Sequence, residues 1–160
     1  MVAIMGILAA LGLNALNGHM RASKTGEALS VIQAIRASQE RYRAENQQYL
    51  GDSTKFCPDD QEPGKKLPFF SACDKTLWET LRPDVERGVE FAYRVDAGGP
   101  RDALPADGDI ITARKFPSST TPTEPWYVVQ AKADEDGDGT FCGVVATSFS
   151  PEVIVENERD

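Results

Sequence analysis

The run DEDGDG at residues 134–139 is the densest group of oxygen ligands in the chain. Asp134, Asp136 and Asp138 stand at alternate positions with glycine after the second and third, which matches the first half of an EF-hand calcium loop. The bidentate glutamate expected at the twelfth loop position is absent, and Val145 stands there. A tight acidic turn joining two strands is the favoured reading. A low-affinity calcium site on the three aspartates, completed by backbone carbonyls, is the alternative, and no other cofactor is called for. The only histidine, His19, has no nucleophile or orienting group that can be assembled around it, so an enzyme is the least supported class.

Three cysteines allow three pairings with one thiol left over. Cys57 and Cys73 flank a proline-containing loop, and a bridge between them is favoured over either pairing with Cys142. Cys142 lies in a strand-like run and reads as a buried free thiol. A disulfide would fit an extracytoplasmic compartment.

The composition narrows the classes further. Hydrophobic residues make up 41% and charged residues 26% of 160, which suits one ordinary globular domain. Seventeen Lys+Arg against 25 Asp+Glu leave a formal net charge of −8, with no basic block to displace phosphate counterions, so nucleic-acid binding is not expected.

Charge is distributed unevenly. Residues 1–20 carry no charged side chain, and residues 1–13 (MVAIMGILAALGL) are apolar apart from glycine. This run is shorter than the about 20 residues a spanning helix needs, yet no face of it is polar. From Ser23 to Tyr49 the pattern is an amphipathic helix. Ala28, Ile32, Ile35, Gln39, Tyr42, Asn46 and Tyr49 trace one stripe, widened by Leu29 and Val31. Glu40 and Arg43 form the one candidate ion pair along it, and a weak one. Gly51-Asp52 reads as the stop. If both parts are continuous, they form one helix about 70 Å long. Gly12, Asn14, Asn17 and Gly18 weaken the junction, each costing roughly 0.5–1 kcal/mol relative to Ala. They mark a kink or loop, or else a stretch that is helical in lipid and melts outside it.

Residues 52–83 show no period and read as a loop with one helical turn at 76–81. Strands are expected at 88–96, 126–133, 140–148 and 153–156, with a further short one at 110–113. Val89, Phe91, Tyr93 and Val95 alternate with polar or small residues, the mark of one buried face. The expected fold is α+β: a long N-terminal helix packed on an antiparallel sheet of about four strands. Three regions follow, namely an apolar segment at 1–20, an amphipathic helix at 21–50 and a globular head at 51–160.

The block AIMGILAAL at 3–11, followed by a helix rich in Ala, Ser, Gln and Tyr, resembles the N-terminal region of type IV pilins. The strand–turn–strand WYVVQAKADEDGDGTF and the short final strand are similar to the same family in layout. The resemblance implies a pilin fold and a subunit held in the inner membrane before assembly. A pilus assembly machinery would then deliver it into an extracellular filament. Ile4, Gly6, Ile7, Leu8, Ala9, Ala10 and Leu11 would make the filament-core contacts, and Gly12, Asn14, Asn17 and Gly18 the region that melts. The family's proline near the end of the apolar block is replaced by Asn14. Its first mature residue and early glutamate would fall before Met1, so a short upstream segment with a basic leader is expected. That leader would also set the orientation, because Arg21 and Lys24 alone favour the opposite one.

The expected function is a structural subunit that polymerises with copies of itself into a pilus-like fibre. Within the same superfamily, a pseudopilin of a type II secretion system or a minor pilin is the alternative. From another class, an anchored calcium-binding or adhesive module remains open.

Overall fold

A computed structural model of the chain describes residues 2–51, 55–58, 65–69, 75–85, 88–106, 110–112, 121–135 and 137–158, and within the first helix the side chains from residue 23 onward. Helix α1 (Val2–Asn46) runs for 45 residues and stays helical through Gly12, Asn14, Asn17 and Gly18. The expected loop is therefore not seen, despite the poor helix propensity of these four residues.

The helix stops before the expected position. Gln47 adopts a left-handed φ of 60°, and its N–H donates to the Arg43 carbonyl at 2.8 Å. A left-handed residue just past the last helical one closes the ladder, a task more often given to glycine. Gly51 is thus not the stop, and Tyr49 falls outside the helix. Tyr49 is nevertheless buried, edge-on to Tyr127 with ring centroids 4.7 Å apart. Fully buried Gln39 makes the return possible. Its amide accepts from the Leu50 N–H at 3.0 Å and donates to the Leu50 carbonyl, pinning the chain back along the helix.

The expected helical turn is helix α2 (Lys75–Leu81). It buries Leu77, Trp78 and Leu81 against α1. Arg41 of α1 donates to the Leu81 carbonyl at 2.6 Å, placing a cation at the C-terminal end of α2 where carbonyls lack partners.

Four strands form one antiparallel meander in chain order: β1 (Ala92–Gly98), β2 (Trp126–Ala133), β3 (Cys142–Thr147) and β4 (Ile154–Glu156). Pairing is in register at Val95↔Val129, Val129↔Ala146 and Val144↔Val155. The α+β class and the four-stranded sheet are as expected. Two details differ. The first strand begins at Ala92, not at 88, because the Glu90 N–H donates to Glu27 of α1 at 3.1 Å instead of to a neighbouring strand. Ile110, Ile111 and Thr112 form no strand; the Ile111 N–H donates to the buried side chain of Gln130 at 3.0 Å. Ala113, the last residue of that expected strand, lies outside the described residues.

The segment read as a loop protects the open edge of β1. Cys57 exchanges two backbone hydrogen bonds with Tyr93, at 2.8 and 2.7 Å, and Leu67 exchanges two with Val89, at 3.0 and 2.8 Å. These bridges pair Tyr93 and the approach to β1, so that part of the edge is not open to another strand.

The sheet buries both faces. On the inner face, Tyr93, Val95, Val129, Ala131, Val144 and Ala146 pack with Ala28, Ile32 and Ile35 of α1. On the outer face a smaller cluster of Trp126, Val128 and Val145 lies under Leu104, Ile110 and Ile111. Both Trp78 and Trp126 are core residues, at 0% and 3% exposure.

Candidate functional site

The apolar block expected to carry subunit contacts, Ile4, Gly6, Ile7, Leu8, Ala9, Ala10 and Leu11, lies within α1. Its side chains fall outside those described. Among the described residues, no helix is long and apolar enough to cross a membrane.

Farther along α1, the helix joins the head through charged groups. Lys24 Nζ lies 3.4 Å from Glu90 and 3.9 Å from Glu135, whose side chain is 2% exposed. Glu27 uses both carboxylate oxygens, one for the Glu90 N–H and one for Lys66 Nζ. The sequence offered Glu27 no ion pair along the helix, because its partners come from the β1 edge and the loop before it. The two Lys24 pairs are half-buried to buried, so solvent screens them less than an exposed helix pair, whereas Lys66 is exposed. Tyr93 lies on the inner face near this junction. Burial first, and the charge of Glu27 second, push its hydroxyl well above the ordinary tyrosine range.

Glu40 and Arg43 meet through a third group. The Tyr49 hydroxyl donates to Glu40 at 2.9 Å and accepts from Arg43 at 2.9 Å, while Arg43 also pairs with Glu124 at 3.2 Å. Burial raises the pKa of Tyr49, with the Glu40 hydrogen bond adding to it and Arg43 opposing it.

The acidic run joins β2 to β3 as a turn braced by its own carboxylates. Asp134 accepts from the N–H groups of Gly137 at 2.8 Å and Gly139 at 3.0 Å, and Asp138 accepts from Thr140 at 2.6 Å. Gly137 and Gly139 have φ of 81° and 89°, which residues with a Cβ rarely adopt. Asp136 lies outside the described residues. Among those described, no group of three acidic, histidine or cysteine side chains could hold a metal ion. The two visible aspartates hold backbone N–H groups, as a structural turn requires.

Cys57 is disulfide-bonded and 2% exposed, while Cys142 is buried and not part of a disulfide. The expected partner, Cys73, lies outside the described residues.

One concavity was not anticipated. At the end of β1 on the outer face, an open recess of about 470 Å³ is lined by Arg94, Asp96, Gly98, Asp102, Pro105 and Trp126. Arg94 donates to Asp96 Oδ1 from Nε at 3.3 Å and from Nη2 at 3.0 Å. Asp102 accepts from the Gly99 N–H at 2.7 Å, holding the turn after β1. Gly98 faces Trp126 across the strand pair, and a Cβ there would come within 2.5 Å of the indole. The alternation of Arg94, Asp96 and Gly98 along one strand was the available sequence signal. It stayed hidden because nothing local says that Trp126 lies opposite. No known protein family, curated protein or solved structure matches the chain.

Proposed function

We propose that this chain is a structural subunit of an extracellular type IV pilus-like filament, polymerising through the first part of α1. The observation that carries this reading is the length of an unbroken helix. Among the described side chains, those of α1 that pack on the head run from Thr25 to Tyr42. Eighteen helical residues cover about 27 Å, and the eight residues of β2 cover about the same. The whole of α1 spans about 68 Å. More than 20 helical residues therefore precede the part that covers the sheet, and the first 20 residues of the chain carry no charge.

Such a rod is stabilised by removing its apolar surface from water, at about 25 cal/mol per Å². Gly6, Ala9, Ala10 and Gly12 are small enough to let neighbouring helices approach closely. A contact in which the same rods pack at successive heights is heterologous and does not close, so it propagates a fibre. In this reading the inner membrane shelters the rod before assembly. The Cys57–Cys73 bridge belongs to the same proposal, since it suits a head outside the cytoplasm.

The test uses the chain in detergent. On detergent removal, electron microscopy is expected to show filaments. Leu8→Lys should abolish them while leaving the melting temperature of the head unchanged. A wild-type chain that stays monomeric, or a Leu8→Lys variant that assembles normally, sinks the proposal. Copy number in sheared cell-surface fibres separates a major subunit, with many copies, from a minor pilin or secretion pseudopilin, with few.

A further inference from the structure

The recess at the end of β1 holds two polar atoms that the fold leaves unused. Trp126 is 3% exposed, and among the described residues its Nε1–H has no acceptor. Asp96 Oδ2 has no donor, although Oδ1 of the same carboxylate is held by Arg94. Buried polar groups are nearly always paired, and an orphan is a cost that native folds seldom leave without a reason. Here a donor and an acceptor go unpaired on neighbouring positions of one sheet face, since Asp96 and Gly98 are two residues apart and Gly98 faces Trp126. Gly98, having no Cβ, lets the indole lie directly against the β1 backbone. Asp102 adds a second carboxylate at the rim, and Pro105 an apolar wall.

We propose that this recess binds a neutral polyhydroxylated ligand, a sugar ring, whose hydroxyls accept from Trp126 Nε1 and donate to Asp96 Oδ2. The chemistry selects against charged alternatives. A cation offers only donors and would leave the indole N–H unpaired. An anion offers only acceptors and would face both Asp96 and Asp102. A hydroxyl is donor and acceptor in one group, and several on one ring can meet both orphans at once. A volume of about 470 Å³ takes one such ring with its substituents. Both orphaned atoms are closed to water, so ligand entry requires a local shift of the residues around them. The inference concerns the head alone and does not rest on filament formation.

The test is a titration of the ¹⁵N-labelled full chain, in a detergent without a sugar headgroup, with the methyl glycosides of glucose, galactose and mannose and with N-acetylglucosamine. The chain has two tryptophans and hence two indole N–H resonances. Trp126→Phe identifies one by its loss, and Trp78 serves as the internal reference for a folded head. The Trp126 signal is expected to move saturably with at least one sugar while that of Trp78 stays in place. Asp96→Asn, which keeps the volume but replaces the acceptor, is expected to weaken binding about tenfold or more. If no sugar moves the Trp126 signal, if guanidinium or acetate moves it instead, or if Asp96→Asn binds as tightly as wild type, the proposal is overturned.

Discussion

The two faces of the sheet are covered by chain of different kinds. A regular helix lies over the inner face, and its side chains interlock with strand residues that alternate in step with it. The outer face carries an irregular connection between β1 and β2, held through Leu104, Ile110, Ile111 and the amide of Gln130. Regular cover supplies many apolar contacts and leaves few gaps. Irregular cover must satisfy its own backbone through side chains such as Gln130, and beside Trp126 it leaves an open recess. The inner face therefore holds the fold together, while the outer face is where this head has chemistry to spare.

The sharpest way to break this contrast is to truncate one core residue on each side. Ile35 is fully buried between α1 and the sheet, and Ile35→Ala is expected to cost about 2–5 kcal/mol. Val145 is equally buried but belongs to the small outer cluster. Val145→Ala is expected to cost roughly 1–2 kcal/mol, the value of two methyl groups. Urea unfolding of the two variants decides the matter. Equal losses would mean that the outer cover is as well packed as the helix.

A second pair compares the buried amides that hold the cover in place. Gln39→Ala orphans both the N–H and the carbonyl of Leu50 on the inner side, whereas Gln130→Ala orphans the N–H of Ile111 on the outer side. Leu50 and Ile111 are half-buried, so water reaches part of what is lost. Each change is expected to cost about 1–2 kcal/mol. Hydrogen exchange should show protection falling at Leu50 in one variant and at Ile111 in the other. Loss of protection throughout the head in both would show that the faces unfold as one unit.

Much of the inner face was legible in the sequence, and little of the outer. Ala28, Ile32 and Ile35 announce a buried stripe by their spacing, and Val89, Phe91, Tyr93 and Val95 announce a strand facing it, because local periodicity encodes which side is dry. Gln39 sits on the same stripe as a polar residue. Its purpose appears only when Leu50 returns to meet it, eleven residues later and after a turn made by Gln47 in place of Gly51. The recess is of this second kind. Arg94, Asp96 and Gly98 belong to one strand, but Trp126 comes 28 residues after Gly98, and strand register brings them together. Ile110 and Ile111 misled for a related reason: two β-branched residues suggest a strand, yet here they plug a sheet face and pair with a side chain.

The smallest expected effect sharpens the contrast through pH. Tyr49, Tyr93 and Tyr127 all lie on the helix side, and each has its pKa raised, in every case chiefly by burial. Arg36 partly offsets the shift at Tyr127 through a hydrogen bond and its charge. A hydroxyl whose folded pKa is raised stabilises the fold fully below the unfolded value, near 10 for tyrosine. That contribution is lost as pH rises from there through the folded value. Denaturant stability is therefore expected to hold up to about pH 10 and then fall, as phenolate absorbance rises. Tyr93→Phe isolates the dominant group. The Tyr93 hydroxyl has no hydrogen-bond partner among the described residues, so its removal should leave neutral-pH stability unchanged or slightly higher. The alkaline slope should become shallower in that variant. An unchanged slope would place the alkaline transition elsewhere, and a marked loss of stability at neutral pH would mean that the hydroxyl does hold something on the inner face.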